Sequence, residues 1–244
     1  MTTTSRLPTR ISRGVPTSDG AGVRLTRLMG GDPRMPSVDP FLMLDYFDSP
    51  DASDYLAGFP PHPHRGFETV TYMLNGRMRH KDNHGHEGVI ETGGVQWMTA
   101  GRGIVHSEMP EQTSGLMRGF QLWVNLPARD KMLAPWYDDI QQERIPTVAL
   151  QGGGSVRVLS GSLGDARGPV RPRPSEPTYL DVDLPANAHF EIEAPKGFTA
   201  LVHGVTGTVL VGAEKKPLPA RSLALLSRDG TIVVTTGSEP GRAL

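Results

Sequence analysis

Four side chains in two short segments have the types and the spacing of a metal site. His62 and His64 lie two residues apart, and so do His106 and Glu108. In an extended strand, residues i and i+2 point to the same face, so each pair can converge on one point. Neutral imidazole is the commonest metal ligand. Three nitrogens and one carboxylate oxygen suit a divalent first-row metal with open coordination positions.

A second carboxylate competes with Glu108 for the role of oxygen ligand. Glu68 lies four residues after His64 and has the strand parity of both histidines of the first pair. It would be either a metal ligand or a hydrogen-bonding partner of one. Strand parity alone does not decide whether Glu68 or Glu108 is the oxygen ligand.

Three more histidines, His80, His84 and His86, lie in a segment rich in Asn, Asp and Gly. Such a segment is typical of a turn. We interpret these histidines as solvated or structural residues of a hairpin. Contact with a substrate near the metal and a second metal site are the alternatives.

The composition favours short β-strands as the elements that position these residues. The 244-residue chain has 29 Gly and 22 Pro, roughly twice the usual share of about 12%. Both residue types are poor in helix interiors, so an all-β fold with many turns is predicted. Residues 70–74 and 120–126 alternate with period two, as half-buried strands do.

The sequence also argues against several classes of protein and site. It has no Cys, which excludes disulfides and thiolate metal sites. Its formal net charge is −1 without a basic block, so we expect no direct nucleic-acid binding. No apolar run approaches the roughly 18 residues of a membrane span. Residues 1–13 lack the apolar core of a secretory signal, and we predict a cytoplasmic protein.

The two halves of the chain differ, which predicts two tandem β-barrels. Six of the eight His lie between His62 and His106, and all three Trp precede residue 137. We predict a metal-binding barrel over residues 1–135, a linker over 136–154 and a second barrel over 155–244, with at most a short helical connector within residues 128–140. In the second barrel, residues 168–177 hold four prolines and predict a loop or an edge strand. The apolar segments around Gly204–Gly207 predict a hairpin.

Longer motifs make the sequence similar to the pirins, a family of the bicupin group. The resemblance is dense over about residues 20 to 150 and looser from residue 178 to the end. Many pirins continue past the equivalent of residues 242–244, where this chain stops; it is either a short member or one with an incomplete last strand. The matching motifs are Asp39-Pro40-Phe41-Leu42-Met43-Leu44-Asp45, Pro61-His62-Pro63-His64-Arg65-Gly66-Phe67-Glu68, Gln96-Trp97-Met98-Thr99-Ala100-Gly101-Arg102-Gly103-Ile104, His106-x-Glu108-Met109-Pro110 and Gln121-Leu122-Trp123-Val124-Asn125-Leu126.

The resemblance implies two cupin barrels of the jelly-roll type, with one metal ion in the first. By the family's pattern the ligands fall on His62, His64, His106 and Glu108, which favours Glu108 over Glu68. The implied ion is Fe(II), with Ni, Cu, Mn, Zn or Co as alternatives. The second barrel of the family lacks these ligands, in agreement with the few histidines of the second half of the chain.

The resemblance also implies a function. Similar proteins act as quercetin 2,3-dioxygenases, which open a flavonol with O2, and here Glu108 would serve as the catalytic base. An apolar wall for a planar substrate is expected from Phe59, Pro61, Pro63, Phe67, Met98 and Met109. The alternative is a regulator without enzymatic activity, which responds to the state of the metal and binds a transcription factor or a metabolic enzyme.

Overall fold

The computed structural model describes residues 4–170 and 174–244. Three short 3-10 helices occur at Ala52–Asp54, Ala128–Asp130 and Gln142–Arg144. The strands of the described residues are, in chain order, β1 (Pro8–Arg13), β2 (Val15–Asp19), β3 (Val23–Met29), β4 (Phe41–Ser49), β5 (Phe59–His64), β6 (Phe67–Asn75), β7 (Met78–Asp82), β8 (Glu87–Ile90), β9 (Val95–Thr99), β10 (Ile104–Pro110), β11 (Met117–Asn125), β12 (Trp136–Ile140), β13 (Thr147–Ala149), β14 (Ser155–Ser160), β15 (Ser162–Leu163), β16 (Ala166–Arg167), β17 (Tyr179–Leu184), β18 (His189–Glu193), β19 (Leu201–Thr206), β20 (Thr208–Val211), β21 (Lys216–Pro219), β22 (Ser222–Leu226), β23 (Thr231–Thr236) and β24 (Gly241–Ala243).

The chain divides into two compact units. The N-terminal unit consists of residues 15–145 with the described part of 169–176, and the C-terminal unit contains the other described residues. The all-β prediction with two tandem cupin units is confirmed. The units are not closed barrels, however, but jelly-roll-like sandwiches of separate sheets.

In the N-terminal unit, a seven-stranded sheet of order β12-β9-β6-β11-β4-β3-β2 pairs its strands antiparallel, as does a four-stranded sheet of order β5-β10-β7-β8. An apolar cluster fills part of the interior. Its buried members are Val23, Leu25, Phe47, Tyr55, Met73, Met78, Ile90 and Met117.

The four-stranded sheet of this unit has an unusually polar inner face. In β7, Met78, His80 and Asp82 are buried, whereas Arg79 and Lys81 between them are exposed. This period of two is the expected pattern of a strand with one solvated face. Because buried polar groups are costly unless they are partnered, such a face indicates a site rather than a plain core.

The C-terminal unit has the same kind of architecture. A seven-stranded sheet has the order β1-β22-β19-β24-β17-β14-β13, and a four-stranded sheet has the order β18-β23-β20-β21. Its apolar core includes Val156, Leu184, Phe190, Val209 and Leu218. Within the part of the chain that the structure describes, this unit holds no cluster of three metal-ligating side chains.

The structure differs from the predicted boundaries at both ends of the first barrel. Residues 8–13 form β1, which pairs with β22 of the C-terminal unit, although they precede the N-terminal unit in sequence. Residues 136–140, predicted as linker, form β12 and pair with β9. Both segments supply edge strands to sheets formed elsewhere in the chain, and local patterns cannot reveal such distant pairing.

The predicted hairpin around Gly204–Gly207 is wrong. Strand β19 pairs with β22 and β24, whereas β20 pairs with β21 and β23, so the chain passes from one sheet to the other at Gly207. In the proline-rich segment 168–177, residues 171–173 lie outside the described residues. Among the described residues, no helix is long and apolar enough to cross a membrane.

Candidate metal centre

Two neighbouring strands bring the predicted histidines together. In the antiparallel pair β5–β10, His106 lies directly opposite His62, and Ile104 lies opposite His64. Directly opposite residues of an antiparallel pair point to the same face. Strand β5 is the edge of its sheet, where prolines such as Pro61 and Pro63 are tolerated because edge N–H groups need no ladder partner.

The three imidazoles form a compact cluster. Each offers a ring nitrogen, and these nitrogens all lie within 4.8 Å of one another. The ring centroid of His62 lies 4.6 Å from that of His64 and 4.6 Å from that of His106. The centroids of His64 and His106 are 4.9 Å apart. His64 Nε2 and His106 Nε2 are buried and have no hydrogen-bond partner among the described residues. Orphaned buried nitrogens are the feature expected of metal ligands.

The environment of the cluster keeps two of its imidazoles neutral. Burial, together with the neighbouring histidines, lowers the pKa of His64 to about 3, against a partly opposing effect of Glu108. Burial and the nearby His62 and His80 lower the pKa of His106 to about 3 as well. An imidazole must be neutral to bind a metal, so both are competent ligands at neutral pH.

Glu108 lies on the same inner face and lines the same cavity as His62 and His64. The β5–β10 register shifts by one residue within β5, so that Glu108 lies opposite Phe59. The hydroxyl of Thr71 lies 3.1 Å from Glu108 Oε1 and donates to it. Glu108 is buried, and its oxygens are not part of the tight three-histidine cluster.

A cavity of about 630 Å³ opens onto this centre. Its wall is largely apolar, and the four expected residues Phe59, Pro61, Pro63 and Phe67 contribute to it. Met98 instead packs in a small core cluster with Ala100 and Ile104. Besides the two histidines, its polar lining residues are Asp19, Asp45, Arg65, Thr71, Glu108 and Gln121.

An aromatic pair supports His64 from one side. The rings of Phe67 and Trp123 have centroids 4.7 Å apart, and they approach the His64 ring edge-on at 5.1 and 5.2 Å. Such packing fixes the ring orientation of the imidazole. Trp123 was not singled out by sequence reasoning as a site residue, and only its place in the family motif could have indicated it.

The structure places Glu68 on the opposite face of its sheet from the cavity. The chain leaves the four-stranded sheet at Arg65–Gly66, where Gly66 adopts a φ of +79°, and enters the seven-stranded sheet as β6. In β6, Phe67 and Thr71 line the cavity, so Glu68 points the other way. Its carboxylate accepts hydrogen bonds from Thr99, at 2.6 Å, and from Ser175. The expectation that Glu68 faces the histidines is wrong, because parity does not carry across a change of sheet.

The remaining histidines occupy the hairpin β7–β8. His80 is buried, with its Nε2 3.1 Å from Asp139 Oδ2, whereas His86 Nδ1 lies 2.9 Å from Asp82 Oδ2 at the surface. His84 is exposed in the turn. Gly88 makes the buried pair possible, since a Cβ at this position would lie 1.9 Å from Asp139 Oδ2.

A row of polar side chains that sequence reasoning missed crosses the seven-stranded sheet beneath the centre. Each member lies directly opposite the next in the strand registers, so all share the inner face. Arg27 bonds Asp45 at 2.7 and 2.9 Å, Thr71 lies 2.6 Å from Gln121, and Gln96 bonds Asp139 at 3.2 Å. We call this set the polar row; its members are Arg27, Asp45, Gln121, Thr71, Gln96 and Asp139.

Both the sequence and the structure of this chain are similar to proteins named as pirins or as quercetin 2,3-dioxygenases. A family model described as Pirin matches residues 22–124. A protein of Caulobacter vibrioides named "Pirin-like protein" is 56% identical over 227 residues, which are 92% of this chain and 81% of that protein. A Pseudomonas aeruginosa protein named "Putative quercetin 2,3-dioxygenase" is 50% identical over 224 residues, 90% of this chain and 78% of the relative.

A solved structure extends the similarity to the whole fold. The crystal structure of a quercetin 2,3-dioxygenase from Acinetobacter baumannii superposes with a TM-score of 0.87 and 34% sequence identity. The match covers 98% of this chain and 85% of that one. The two tandem units are therefore shared in full with a protein of this group.

Proposed function

The chain belongs to the pirin family, and from this premise we propose that it is an iron-dependent dioxygenase of the quercetin 2,3-dioxygenase type. The observation that carries the proposal is the cluster of three buried or half-buried imidazoles, two of which, His62 and His64, line a largely apolar cavity. The names of two relatives, from Pseudomonas aeruginosa and Acinetobacter baumannii, support this activity.

The residues present fit a divalent metal ion. His62, His64 and His106 would supply three nitrogens, and Glu108, which lines the same cavity, would supply one oxygen. Three nitrogens and one oxygen leave positions open for other ligands, as an iron oxygenase requires. When bound, the iron supplies Lewis-acid polarisation and a template for the two reactants.

Glu108 has the placement of a general base. Its carboxylate lines the cavity, so it can accept the proton of a substrate hydroxyl there. Thr71 holds one of its oxygens, which leaves the other for this task. Deprotonation makes an electron-rich enolate of the flavonol, the form that reacts with O2.

The shape and lining of the cavity suit a planar aromatic substrate. Apolar side chains such as Phe59 and Phe67 form most of the wall, and polar groups such as Thr71 and Glu108 line the same cavity as His62 and His64. This combination is typical of small-molecule sites. In the proposed reaction O2 is the oxidant and both its atoms enter the product. Two carbon–carbon bonds of the central ring break, and the carbon between them leaves as carbon monoxide.

Aerobic turnover of quercetin tests the proposal. The chain is loaded with iron, nickel, copper or manganese in turn, and carbon monoxide and the ring-opened product are measured. We expect turnover that is lost in a His62→Ala, His64→Ala variant and retained in Glu68→Gln, whose carboxylate lies on the other face of the sheet.

Absence of carbon monoxide and of ring-opened product with all four metals would overturn the dioxygenase proposal. The regulator that binds a protein partner would then be the better account of the same metal centre. Partner binding that persists without metal would in turn exclude a metal-dependent switch.

A further inference from the structure

We propose that Thr71 is a positioning residue of the site, which holds Oε1 of Glu108 so that Oε2 is presented to the metal and the substrate. This inference rests on the proposed function, since it takes Glu108 as the oxygen ligand. It adds a residue that has no contact with the three histidines and that no sequence motif marked as functional.

The Thr71 hydroxyl lies between two possible hydrogen-bond acceptors. Thr71 Oγ1 lies 3.1 Å from Glu108 Oε1 and 2.6 Å from the atom placed as Gln121 Oε1, so both neighbours are placed as acceptors. A hydroxyl has a single proton to donate. A bond to a carboxylate is charge-assisted and stronger than one to an amide carbonyl, so Thr71 donates to Glu108.

The Gln121 amide must then turn its NH2 group toward Thr71. The nitrogen and oxygen of a terminal amide exchange places by a half-turn of the group. In this orientation the amide donates to the threonine oxygen, and the threonine donates to the carboxylate. The three side chains form one directed chain of donors that ends on Glu108 Oε1.

Thr71 is held rigidly by its place in the sheet and by its own side-chain geometry. Thr71 is 2% exposed and lies at the middle of the polar row, directly opposite Gln121 on one side and Gln96 on the other. Threonine is stiff at χ1 because it branches at Cβ. A buried, branched residue in a central strand therefore fixes the position of its hydroxyl, and with it the orientation of the carboxylate.

The same unit contains a second threonine–glutamate hydrogen bond, between Thr99 and Glu68, outside the three-histidine cluster. Thr99 donates to Glu68 Oε1 at 2.6 Å, and Thr99 is also 2% exposed. The chemistry of the two threonine–glutamate bonds is the same, but Glu68 lies on the other face of the sheet. Thr99 therefore supplies a control that separates an effect on the metal from an effect on stability.

Cobalt(II) in place of iron provides a test that does not depend on activity. The visible bands of bound cobalt(II) depend on the number and type of its ligands, and its affinity can be measured by competition with a chelator. We expect Thr71→Val to weaken binding about tenfold, at the lower end of the usual 10–100-fold effect of a residue that supports a ligand. The spectrum should shift toward that of Glu108→Gln.

Two further variants make the result specific. Thr71→Ser keeps the hydroxyl and should retain the wild-type cobalt spectrum and affinity. Thr99→Val should leave both unchanged, even where it lowers the melting temperature as much as Thr71→Val does. If Thr71→Val does not fold, Gln121→Met tests the same donor chain and should weaken cobalt binding in the same direction.

The inference fails if Thr71→Val keeps the wild-type spectrum and affinity while Glu108→Gln changes both; Thr71 would then be structural and the ligand set would stand. If Glu108→Gln also leaves cobalt binding unchanged, Glu108 is not a ligand and the proposed site itself is wrong.

Discussion

His106 lies directly opposite His62 in the β5–β10 strand pair, with ring centroids 4.6 Å apart. The register of one antiparallel pair therefore joins two histidines that are 44 positions apart in the sequence. The i+2 spacing of His62 and His64 adds the third imidazole to the same face. A metal centre follows from the strand pairing rather than from a single contiguous motif.

Replacement of His106 should remove metal from the protein, whereas replacement of His84 should not. His106 is buried within the cluster, and His84 is exposed in the β7–β8 turn. We expect His106→Ala to lower metal content at least tenfold after dialysis, measured by mass spectrometry, and His84→Ala to keep the wild-type content. Equal loss in both variants would mean that the wrong histidines were chosen.

The two buried carboxylates should respond differently to neutralisation. Glu108→Gln is expected to lower metal affinity about tenfold or more, since it removes a charged oxygen from the cavity. Glu68→Gln is expected to lower the melting temperature through its bonds to Thr99 and Ser175 but to leave metal affinity unchanged. Titration with a chelator as competitor measures both. A larger loss of affinity in Glu68→Gln would reverse the assignment.

Glu68 and Glu108 also show which parts of the site can be predicted from the sequence. The i+2 spacing places His62 with His64 on one face and His106 with Glu108 on one face. The β5–β10 register, which joins the two pairs, comes from the structure alone. Glu68 was misplaced because its parity was counted through Gly66, where the chain changes sheets. Apart from the glycine, nothing in the local sequence predicts that the chain changes sheets here. The choice of Glu108 over Glu68 came from the family motif and not from the spacing.

Long-range pairing accounts for the other errors. Strand β1 pairs with β22, more than 200 residues away, and β12 completes the sheet edge at β9. The polar row is visible only when six strands are aligned, because its members come from six different segments. Alternation and composition identified the strands, but register and sheet order depend on tertiary packing.

A methyl group at Gly88 should destabilise the N-terminal unit. It would lie 1.9 Å from Asp139 Oδ2 and 2.9 Å from His80 Nε2, so it would break the buried bond between them. We expect Gly88→Ala to lower the free energy of unfolding by about 1 kcal/mol, the usual net contribution of one hydrogen bond, because the partly exposed side chain of Asp139 can move aside. Gly152→Ala is the control, since nothing lies within 4 Å of its added methyl group. Equal effects in denaturant titrations would contradict the role of Gly88.

The C-terminal unit should lose stability in mild acid through His203. Burial lowers the pKa of His203 to about 4, while its Nδ1–H donates to the carbonyl of Ser222 at 2.9 Å. The unfolded chain takes up this proton near pH 6.5, whereas the folded chain stays neutral down to about pH 4. Stability therefore falls as the pH drops through this window, by about 2 kcal/mol between pH 7 and pH 5.

A His203→Gln variant isolates this contribution, because His64 and His106 titrate in both proteins. Urea titrations at several pH values measure the free energy of unfolding. Between pH 7 and pH 5 it should fall by about 2 kcal/mol less in the variant than in the wild-type protein. If the free energy of unfolding changes equally with pH in both proteins, His203 is protonated, or accessible to solvent, in the folded state.

The most direct test of the metal centre is anomalous diffraction from crystals of the iron-loaded protein, recorded above and below the iron absorption edge. We expect one anomalous peak per chain, with nitrogens of His62, His64 and His106 and an oxygen of Glu108 as its ligands. A peak beside His80 and His86, or an iron without Glu108 among its ligands, would contradict this expectation.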